Sequence, residues 1–177
     1  MEAAEFSYEL RIPKERVAVL IGEKGSSKKE IEEATKSQME ISKDGDVTVS
    51  GSDGLLLYTA REIVKAVARG FNPKIALLLL KTDYALEIIE IKEVAGKNKN
   101  TFQRIKGRVI GKDGKSRYEI ERLTDTNISV FGKTVAIIGE AAHALLARKA
   151  LGMIISGSMH NTVFRFLEKK RKELFLG

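Results

Sequence analysis

Apolar and polar positions follow the same pattern twice along the chain. In each half, a stretch with strand-like alternation, Phe6–Ile12 or Leu86–Glu93, precedes a short helical segment that ends at Ile21 or Ile110. A turn with two glycines comes next, followed by a second helix, two alternating strands and a third helix. The pattern therefore predicts the order β-α-α-β-β-α in both halves.

The hairpins and the last helices are predicted from their periodicity. Alternating residues pair Gln38–Ser42 with Val47–Ser50 in the first half, and Asn127–Phe131 with Thr134–Ile138 in the second. The apolar positions of the helices that follow are Leu56, Ala60, Ile63 and Val67, and then Ala147, Ala150, Leu151 and Ile154. Each half is thus expected to form a three-stranded sheet backed by helices, an α+β fold.

The two halves are copies of one unit. Gly22 and Gly25 coincide with Gly111 and Gly114 at an offset of 89 residues. Further pairs at that offset are Ile31 with Ile120, Met39 with Ile128 and Ile41 with Val130; after a connection one residue shorter in the second copy, Val47 pairs with Val135 and Val49 with Ile137. Matches over so long a stretch indicate an internal repeat.

The stretch between the copies, Phe71–Ala85, contains the apolar run Ile75–Leu80 and only one proline. This composition is unlike a flexible spacer of glycine and serine, so we predict a helical connector and rigid docking of the two copies. The predicted boundaries are residues 1–72 for the first unit, 73–83 for the connector, 84–158 for the second unit and 159–177 for a C-terminal basic amphipathic helix.

Composition excludes several kinds of chemistry. The chain has no cysteine, which removes disulfides and thiolate metal sites, and two histidines, His143 and His160, are too few for a histidine-rich metal site. The longest apolar run has six residues, far below the roughly 18 that a transmembrane helix needs, and the acidic N-terminus has no signal-peptide pattern. We expect a cytoplasmic protein without metal, cofactor or membrane partner.

Positive charge is concentrated in the second half of the chain. Residues 1–95 hold 14 Lys and Arg against 17 Asp and Glu, a balance of −3, whereas residues 96–177 hold 17 against 7, a balance of +10. An excess of this size can be a solvated surface, but it also suits a polyanionic partner. The second unit is therefore the expected place for a nucleic-acid contact.

The Gly-x-x-Gly sequences stand where one predicted helix ends and the next begins. Such a turn needs φ values that glycine reaches most easily, and without a Cβ atom a ligand backbone can approach closely. The N–H groups and the positive end of the following helix attract phosphate. Lys115 and Arg117 lie in the first turn of that helix, where each cation opposes the helix dipole by roughly 0.3–1 kcal/mol, a cost that a bound anion would offset.

These features predict a clamp for the RNA backbone, with Ile110 anchoring the loop and the strand residues Ile128 and Val130 supporting bases. The predicted RNA-binding residues are Arg108, Ile110, Gly111, Lys112, Asp113, Gly114, Lys115, Ser116, Arg117, Ile128, Val130 and Lys133. A weaker, secondary site is predicted at Ile21, Gly22, Glu23, Lys24, Gly25 and Lys28, because Glu23 lies inside that loop and serines replace the basic residue after it.

The chain resembles a known family at these positions. The two Ile-Gly-x-x-Gly turns resemble type I KH domains, whose loop clamps about four nucleotides. Residues 105–117, 128–139 and 160–171 are similar to the archaeal relatives of the Partner-of-Nob ribosome-assembly factors. The resemblance implies a non-enzymatic protein that binds the 3′ end region of small-subunit rRNA during its maturation.

The resemblance also implies protein partners, namely the Nob endonuclease and the alpha subunit of translation initiation factor two. Eukaryotic members of the family have a degenerate first Gly-x-x-Gly. This chain keeps Gly22 and Gly25, so the silence of that loop does not carry over.

Other functions remain as alternatives. A general KH-type regulator that binds single-stranded DNA or mRNA would use the same loop. Gly114-Lys115-Ser116 ends like a nucleotide-binding P-loop, but the first glycine of that motif would be residue 109, which is Val109. A nuclease would need clustered carboxylates to hold metal ions, and the basic half has no compact acidic motif. No catalytic residue is therefore predicted.

The C-terminal segment has two interpretations. Val163, Phe166 and Leu167 fall on one face of a helix, whereas Arg165 and Lys169 lie elsewhere. The helix either packs on the second unit with a solvated basic side, or adds a contact to RNA or to a partner.

Overall fold

The computed structural model of the protein describes residues 6–176. Residues 1–5 and 177, which the predicted first and last segments include, lie outside the described residues. The chain divides into two compact units between Thr82 and Asp83. Both units contain the predicted order of strand, two helices, two strands and helix, so the α+β prediction is confirmed. The rigid docking of the two units stays a prediction.

The first unit builds one antiparallel sheet. Its elements are β1 (Phe6–Arg11), α1 (Lys14–Ile21), α2 (Ser26–Thr35), β2 (Ser37–Ile41), β3 (Asp46–Gly51) and α3 (Gly54–Ala68). The strand order is β1-β3-β2, with Val49 of β3 opposite both Tyr8 and Met39. Met39, Val47 and Val49 are buried, because alternate residues of these strands face the helices.

Helix α3 begins at a side-chain cap. The carboxylate of Asp53 accepts hydrogen bonds from the backbone N–H groups of Leu55 and Leu56, each at 3.0 Å, which satisfies two donors that the helix cannot pair internally. The predicted apolar face was wrong by one position at its start. Leu57, not Leu56, is fully buried, in phase with Ala60.

The segment after α3 is helical. It forms α4 (Pro73–Ala76) and a 3-10 turn (Leu77–Leu80), and both pack on α3. Asn72 caps α4 by accepting a hydrogen bond from the Lys74 N–H at 2.8 Å. Ala76 and Leu79 are buried, so the apolar run of this segment extends the core of the first unit.

The second unit repeats the arrangement with additions. Its elements are β4 (Tyr84–Glu90), α5 (Lys92–Ala95), α6 (Lys99–Ile110), α7 (Lys115–Thr124), β5 (Asn127–Phe131), β6 (Thr134–Glu140), α8 (Ala141–Ile155) and α9 (His160–Leu176). The strand order is β4-β6-β5. The predicted first strand was wrong at both ends, because the chain turns into α5 at the buried Ile91, which has helical φ and ψ of −64° and −28°.

The repeat also extends to hydrogen bonds. Thr35 Oγ1 donates to the Ile31 carbonyl at 2.7 Å, and Thr124 Oγ1 donates to the Ile120 carbonyl at the same distance. The next residue adopts positive φ in both copies, 50° at Lys36 and 53° at its counterpart Asp125. Helices α2 and α7 therefore end in the same left-handed turn, which leads into an edge strand.

The apolar face of α9 packs against α7 and α8. Val163 and Leu167 are fully buried, whereas Arg165 and Lys169 are exposed. Arg171 donates to the carbonyls of Arg122 and Leu123 at 3.1 and 3.2 Å. A cation at these last carbonyls of α7 also complements the negative end of the helix dipole.

Candidate nucleic-acid interface

The second loop has a backbone that depends on its glycines. Gly111 and Gly114 both have φ of 75°, and Asp113 between them has φ of 55°. A Cβ atom on Gly111 would lie 2.7 Å from the Ser116 backbone nitrogen, so a side chain there would force the loop and α7 apart. A Cβ atom on Gly114 would meet nothing within 4 Å. Gly111 is thus needed for close packing, while the space beside Gly114 is open to a ligand.

The first loop has nearly the same backbone. Gly22 and Gly25 have φ of 77°, and Lys24 has φ of 53°. A Cβ atom on Gly22 would lie 2.7 Å from the Ser27 nitrogen, and one on Gly25 would again meet nothing within 4 Å. Both turns therefore have the same space for a ligand backbone, and any difference between them comes from side chains.

The helices after the loops start without a side-chain cap. The capping positions of α2 and α7 are Gly25 and Gly114, which offer no side chain to accept a hydrogen bond from the first N–H groups. The first of them already donates to a loop carbonyl, from Ser26 to Glu23 and from Lys115 to Lys112. The N–H groups of the next residues have no partner inside the helix, and they lie at the positive end of its dipole. Each loop thus has a set of donors suited to an oxygen anion such as a phosphate.

Lysines surround the donors of the second loop. Lys112 and Lys115 are exposed, and neither forms an ion pair within residues 6–176. In the first loop the equivalent positions are Glu23 and Ser26. Lys28, the nearest predicted basic residue after that loop, lies 4.0 Å from the Glu32 carboxylate. The third position carries the opposite signs, Lys24 and Asp113, so the excess of positive charge at the second loop comes from Lys115 at the start of α7, where the first unit has Ser26.

A half-buried glutamate connects each of the helices α2 and α7 to the strand at the edge of the predicted groove. Glu121 accepts a hydrogen bond from the Ile128 N–H at 2.9 Å, and Glu32 accepts one from the Met39 N–H at the same distance. Burial raises the pKa of Glu121, while the hydrogen bond from Ile128 and the charge of Arg117 act in the opposite direction. The residue pattern alone did not predict this pair, although the 89-residue offset relates the two glutamates.

The strand residues do not all present surface to a base. Ile128 is only 4% exposed and belongs to the apolar core. Val130 and Ile110 are partly exposed, and Val130 packs against that core. The base-supporting role expected of Ile128 is therefore revised. Ile128 shapes the groove from beneath, and Val130 and Ile110 are the apolar residues with accessible surface.

Arg108 has a different position from the one expected of an RNA contact. Its guanidinium donates to the carbonyl of Ile154 at 2.8 Å and to the carbonyl of Ser158. The Arg108 carbonyl in turn accepts a hydrogen bond from His160 Nε2 at 2.8 Å. Arg108 therefore fixes the turn between α8 and α9. We revise its role from RNA contact to positioning.

Arg16 performs the same structural task in the first unit. Its guanidinium donates to the carbonyls of Val67 and Phe71 at 2.8 and 2.9 Å. Burial lowers the pKa of Arg16, and the nearby Glu15 partly counters that shift. Arg16 of α1 thus holds the chain at the end of α3, as Arg108 of α6 holds it at the end of α8.

Lys133 lies at the end of the second unit's predicted RNA groove that is farther from the Gly-x-x-Gly loop. This exposed lysine lies in the turn between β5 and β6, whose Gly132 carbonyl accepts a hydrogen bond from Lys106 Nζ at 3.1 Å. The Lys133 carbonyl accepts the Ile91 N–H at 3.0 Å. The turn is thus held to α6 and to the end of β4, with the Lys133 side chain at its surface.

Within residues 6–176, no three His, Cys, Asp or Glu side chains lie close enough together to hold a metal ion. Over the same range, no helix has the length and apolarity needed to cross a bilayer.

The repeated β-α-α-β-β-α unit, with a Gly-x-x-Gly turn between its first two helices, defines a tandem KH protein of type I. In agreement with this class, the KH domain model matches residues 7–65, and the model of the eukaryotic type KH-domain (KH-domain type I) matches residues 85–172.

Individual relatives show which family within this class the chain resembles. A KH domain-containing protein of Methanocaldococcus jannaschii is 48% identical over 169 residues, which cover 93% of this chain and 74% of that protein. The pre-rRNA-processing protein PNO1 of Debaryomyces hansenii is 33% identical over 123 residues, covering 67% of this chain; the aligned region spans about half, 48%, of that relative.

A solved structure has a similar fold over nearly the whole chain. A chain in the crystal structure of an a/eIF2alpha–aDim2p–rRNA complex from Pyrococcus horikoshii has a TM-score of 0.89 and 40% identity, and the match covers 96% of each chain. This chain therefore belongs to the two-KH-domain family of PNO1 and Dim2, the Partner-of-Nob family, as the sequence resemblance indicated.

Proposed function

We propose that this protein binds single-stranded RNA and acts in the maturation of small-subunit rRNA, with the loop Gly111–Gly114 as its main clamp. One observation carries the proposal: the open space at Gly114 lies beside the uncapped N-terminus of α7 and between lysines without ion pairs. A phosphate placed there would gain backbone donors, the helix dipole and two cations together. The first loop offers the same backbone donors and helix dipole, but has Glu23 and Ser26 in place of the two lysines.

The proposed mechanism is passive binding. The loop and the first turn of α7 contact the sugar-phosphate backbone, with Lys112, Lys115 and Arg117 near the phosphates. Ile110 and Val130 line the groove for the bases, and Lys133 contacts the strand at the far end. A KH groove of this size accepts about four nucleotides. Such contacts position the strand without a chemical step, so we propose no catalytic role.

The rRNA assignment is supported by the relatives. PNO1 is a pre-rRNA-processing protein by name, and the Pyrococcus horikoshii complex contains rRNA and a/eIF2alpha. We propose the 3′ end region of small-subunit rRNA as the ligand of this chain. The alpha subunit of the initiation factor and the Nob endonuclease are its proposed protein partners.

Equilibrium binding to three oligonucleotides tests this assignment. The ligands are a fragment of the small-subunit rRNA 3′ end, the same sequence as DNA, and a scrambled RNA of equal length. We expect the rRNA fragment to bind best. With about three phosphates neutralised, the slope of log affinity against log salt for RNA should be about −2. Equal affinity for all three would favour a general single-stranded nucleic-acid binder, and a slope near zero would contradict the electrostatic clamp.

A further inference from the structure

A second groove lies on the opposite side of the second loop, between α7 and α9. It has a volume of about 730 Å³, and its walls include Lys112 and Lys115, Tyr118, and Asn161 and Phe164 of α9. Along α7, Lys115 lies about half a turn away from Arg117 and Glu121, which face β5. Because Lys112 and Lys115 also line this groove, called here the α9 groove, the loop forms its border with the proposed four-nucleotide groove.

A buried hydroxyl without a partner lines the α9 groove. Ser116 is the second residue of α7, only 5% exposed, and its Oγ has no hydrogen-bond partner among the described residues. An unpaired buried hydroxyl costs free energy that a bound ligand can recover by supplying a partner. Because Ser116 lies in the first turn, the ligand atom that serves it also meets the positive end of the helix.

The equivalent serine of the first unit is less enclosed. Ser27 is only partly buried, and α4 and the 3-10 turn that follow α3 pack on α3. In the second unit α9 packs directly on α7. The burial of Ser116 is therefore associated with α9, an addition specific to the second unit.

The walls of the α9 groove combine aromatic rings with cations and amide groups, and they also include the carboxylates of Glu119 and Glu168. Tyr118 is 64% exposed, and the rings of Phe164 and His160 are 6.1 Å apart between centroids. Bases stack on such rings, phosphates pair with lysines such as Lys115, and an amide such as that of Asn161 can hydrogen-bond a base edge. An apolar peptide would leave the cations unused, and a free phosphate would leave the rings unused. A nucleotide uses all three.

We propose that the α9 groove binds a nucleotide that flanks the four held in the main groove, on the same RNA strand. The strand passes over the Gly-x-x-Gly loop, so that one stretch of backbone contacts the donors of α7 and the next base stacks beside Tyr118 and Phe164. This inference rests on the proposed function, since it assigns a second subsite to the same RNA-binding loop.

Oligonucleotide length tests the subsite. The full chain is titrated with a four-nucleotide RNA from the rRNA 3′ end, and with the same RNA extended by two nucleotides at its 5′ or its 3′ end. We expect one extension to raise affinity about tenfold, as one stacked base does. Tyr118→Ala should remove most of that gain and leave affinity for the four-nucleotide RNA unchanged. Ser116→Ala should also reduce the gain.

Tyr58→Ala is the matched control, because Tyr58 is 48% exposed on α3 of the first unit. Tyr58→Ala should keep the full gain in affinity that the extension produces. The inference is overturned if neither extension raises affinity, or if the gain survives in Tyr118→Ala. Failure of every RNA, long or short, to bind the wild-type chain would instead overturn the proposed function, and the two results are distinguishable.

Discussion

The two Gly-x-x-Gly loops differ in chemistry, not in backbone. The φ angles of corresponding residues agree within 2°, and both second glycines lie beside open space. The position after the first glycine is Glu23 in one loop and Lys112 in the other, and the first residue of the next helix is Ser26 or Lys115. Glycine geometry therefore makes a backbone clamp possible, and the neighbouring side chains decide how strongly it attracts phosphate.

The units also differ in what was added to the common core. The second unit has α5, a longer first helix and α9, and the half of the chain that contains most of it has a charge balance of +10 against −3. Arg108 and His160 fix α9 beside the loop. Of these additions, α9 lies beside the loop that carries Lys112 and Lys115, and the described part of the first unit has no equivalent of this helix.

The largest expected effect comes from a carboxylate at the open glycine. Gly114→Asp places a side chain and a negative charge where the phosphate backbone would approach, so we expect RNA affinity to fall by about tenfold or more. Gly25→Asp is the matched variant, with the same φ sign and the same open space, and should cost less than about threefold. Fluorescence anisotropy with the rRNA fragment measures both. Equal losses would contradict the asymmetry.

A smaller loss is expected when the cations are removed. Lys112→Gln together with Lys115→Gln leaves the backbone intact and removes two phosphate contacts. Affinity should fall about fivefold at moderate salt, and the log–log salt slope should become shallower by roughly 1.4. Lys24→Gln with Lys28→Gln is the control in the first unit, with an expected change of less than about twofold. An unchanged slope in the Lys112 and Lys115 variant would remove these lysines from the interface.

Introducing the lysines into the first loop should raise the affinity for RNA. Glu23→Lys with Ser26→Lys gives the first loop the two lysines found at the second loop, with Lys24 kept where the second loop has Asp113. We expect affinity for an RNA long enough to reach both units to rise about threefold, with a steeper salt slope. Glu23→Gln with Ser26→Gln controls for the loss of the carboxylate. No gain from the lysine variant would mean that more than side-chain charge separates the two loops.

The smallest expected effect concerns stability at the groove edge. Burial raises the pKa of Glu121 in the folded state, so its ionisation opposes folding above that pKa and not below it. Glu121→Gln keeps an acceptor for the Ile128 N–H without the buried charge. At pH 7 we expect the Tm to rise by about 2 °C, since 1 kcal/mol moves the Tm of a chain of this size by roughly 2–4 °C. At pH 4 the difference should disappear.

Glu119→Gln should change the Tm in the opposite direction. The hydrogen bond from Arg122 lowers the pKa of Glu119, so the ionised carboxylate favours the folded state above its unfolded pKa and loses that effect as the pH falls. This variant should lower the Tm slightly at pH 7 and by less at pH 4, because the effect disappears only below the lowered pKa of Glu119. Thermal melts at both pH values distinguish the two glutamates, and a pH-independent shift for Glu121→Gln would refute its account.

Much of the fold could be read from the sequence because it is periodic and duplicated. Alternation placed the hairpins, and the 89-residue offset showed which glycines form equivalent turns. The end of β4 was misplaced because Ile91 continues the apolar pattern of a strand while it starts a helical turn. Periodicity alone does not distinguish those two uses of a buried isoleucine.

Side-chain roles were harder to predict, because they depend on residues distant in the chain. Arg108 looked like a phosphate contact beside the loop, but its partners, Ile154 and Ser158, lie 46 and 50 residues later. The burial of Ser116 likewise depends on how α9 packs. No local pattern contains such contacts, whereas the charge of Lys112 and Lys115 follows directly from residue type.

Hydrogen exchange of the loop amides tests the central claim most directly. The N–H groups of Ser116 and Arg117 in the first turn of α7 have no acceptor within the helix, so they should exchange quickly in the free protein, unlike that of Lys115, which donates to the Lys112 carbonyl. With saturating rRNA fragment, we predict strong protection in residues 111–117 and little in the equivalent residues 22–28. Equal protection of both segments, or protection of residues 22–28 alone, would contradict the assignment of the second loop as the main RNA clamp.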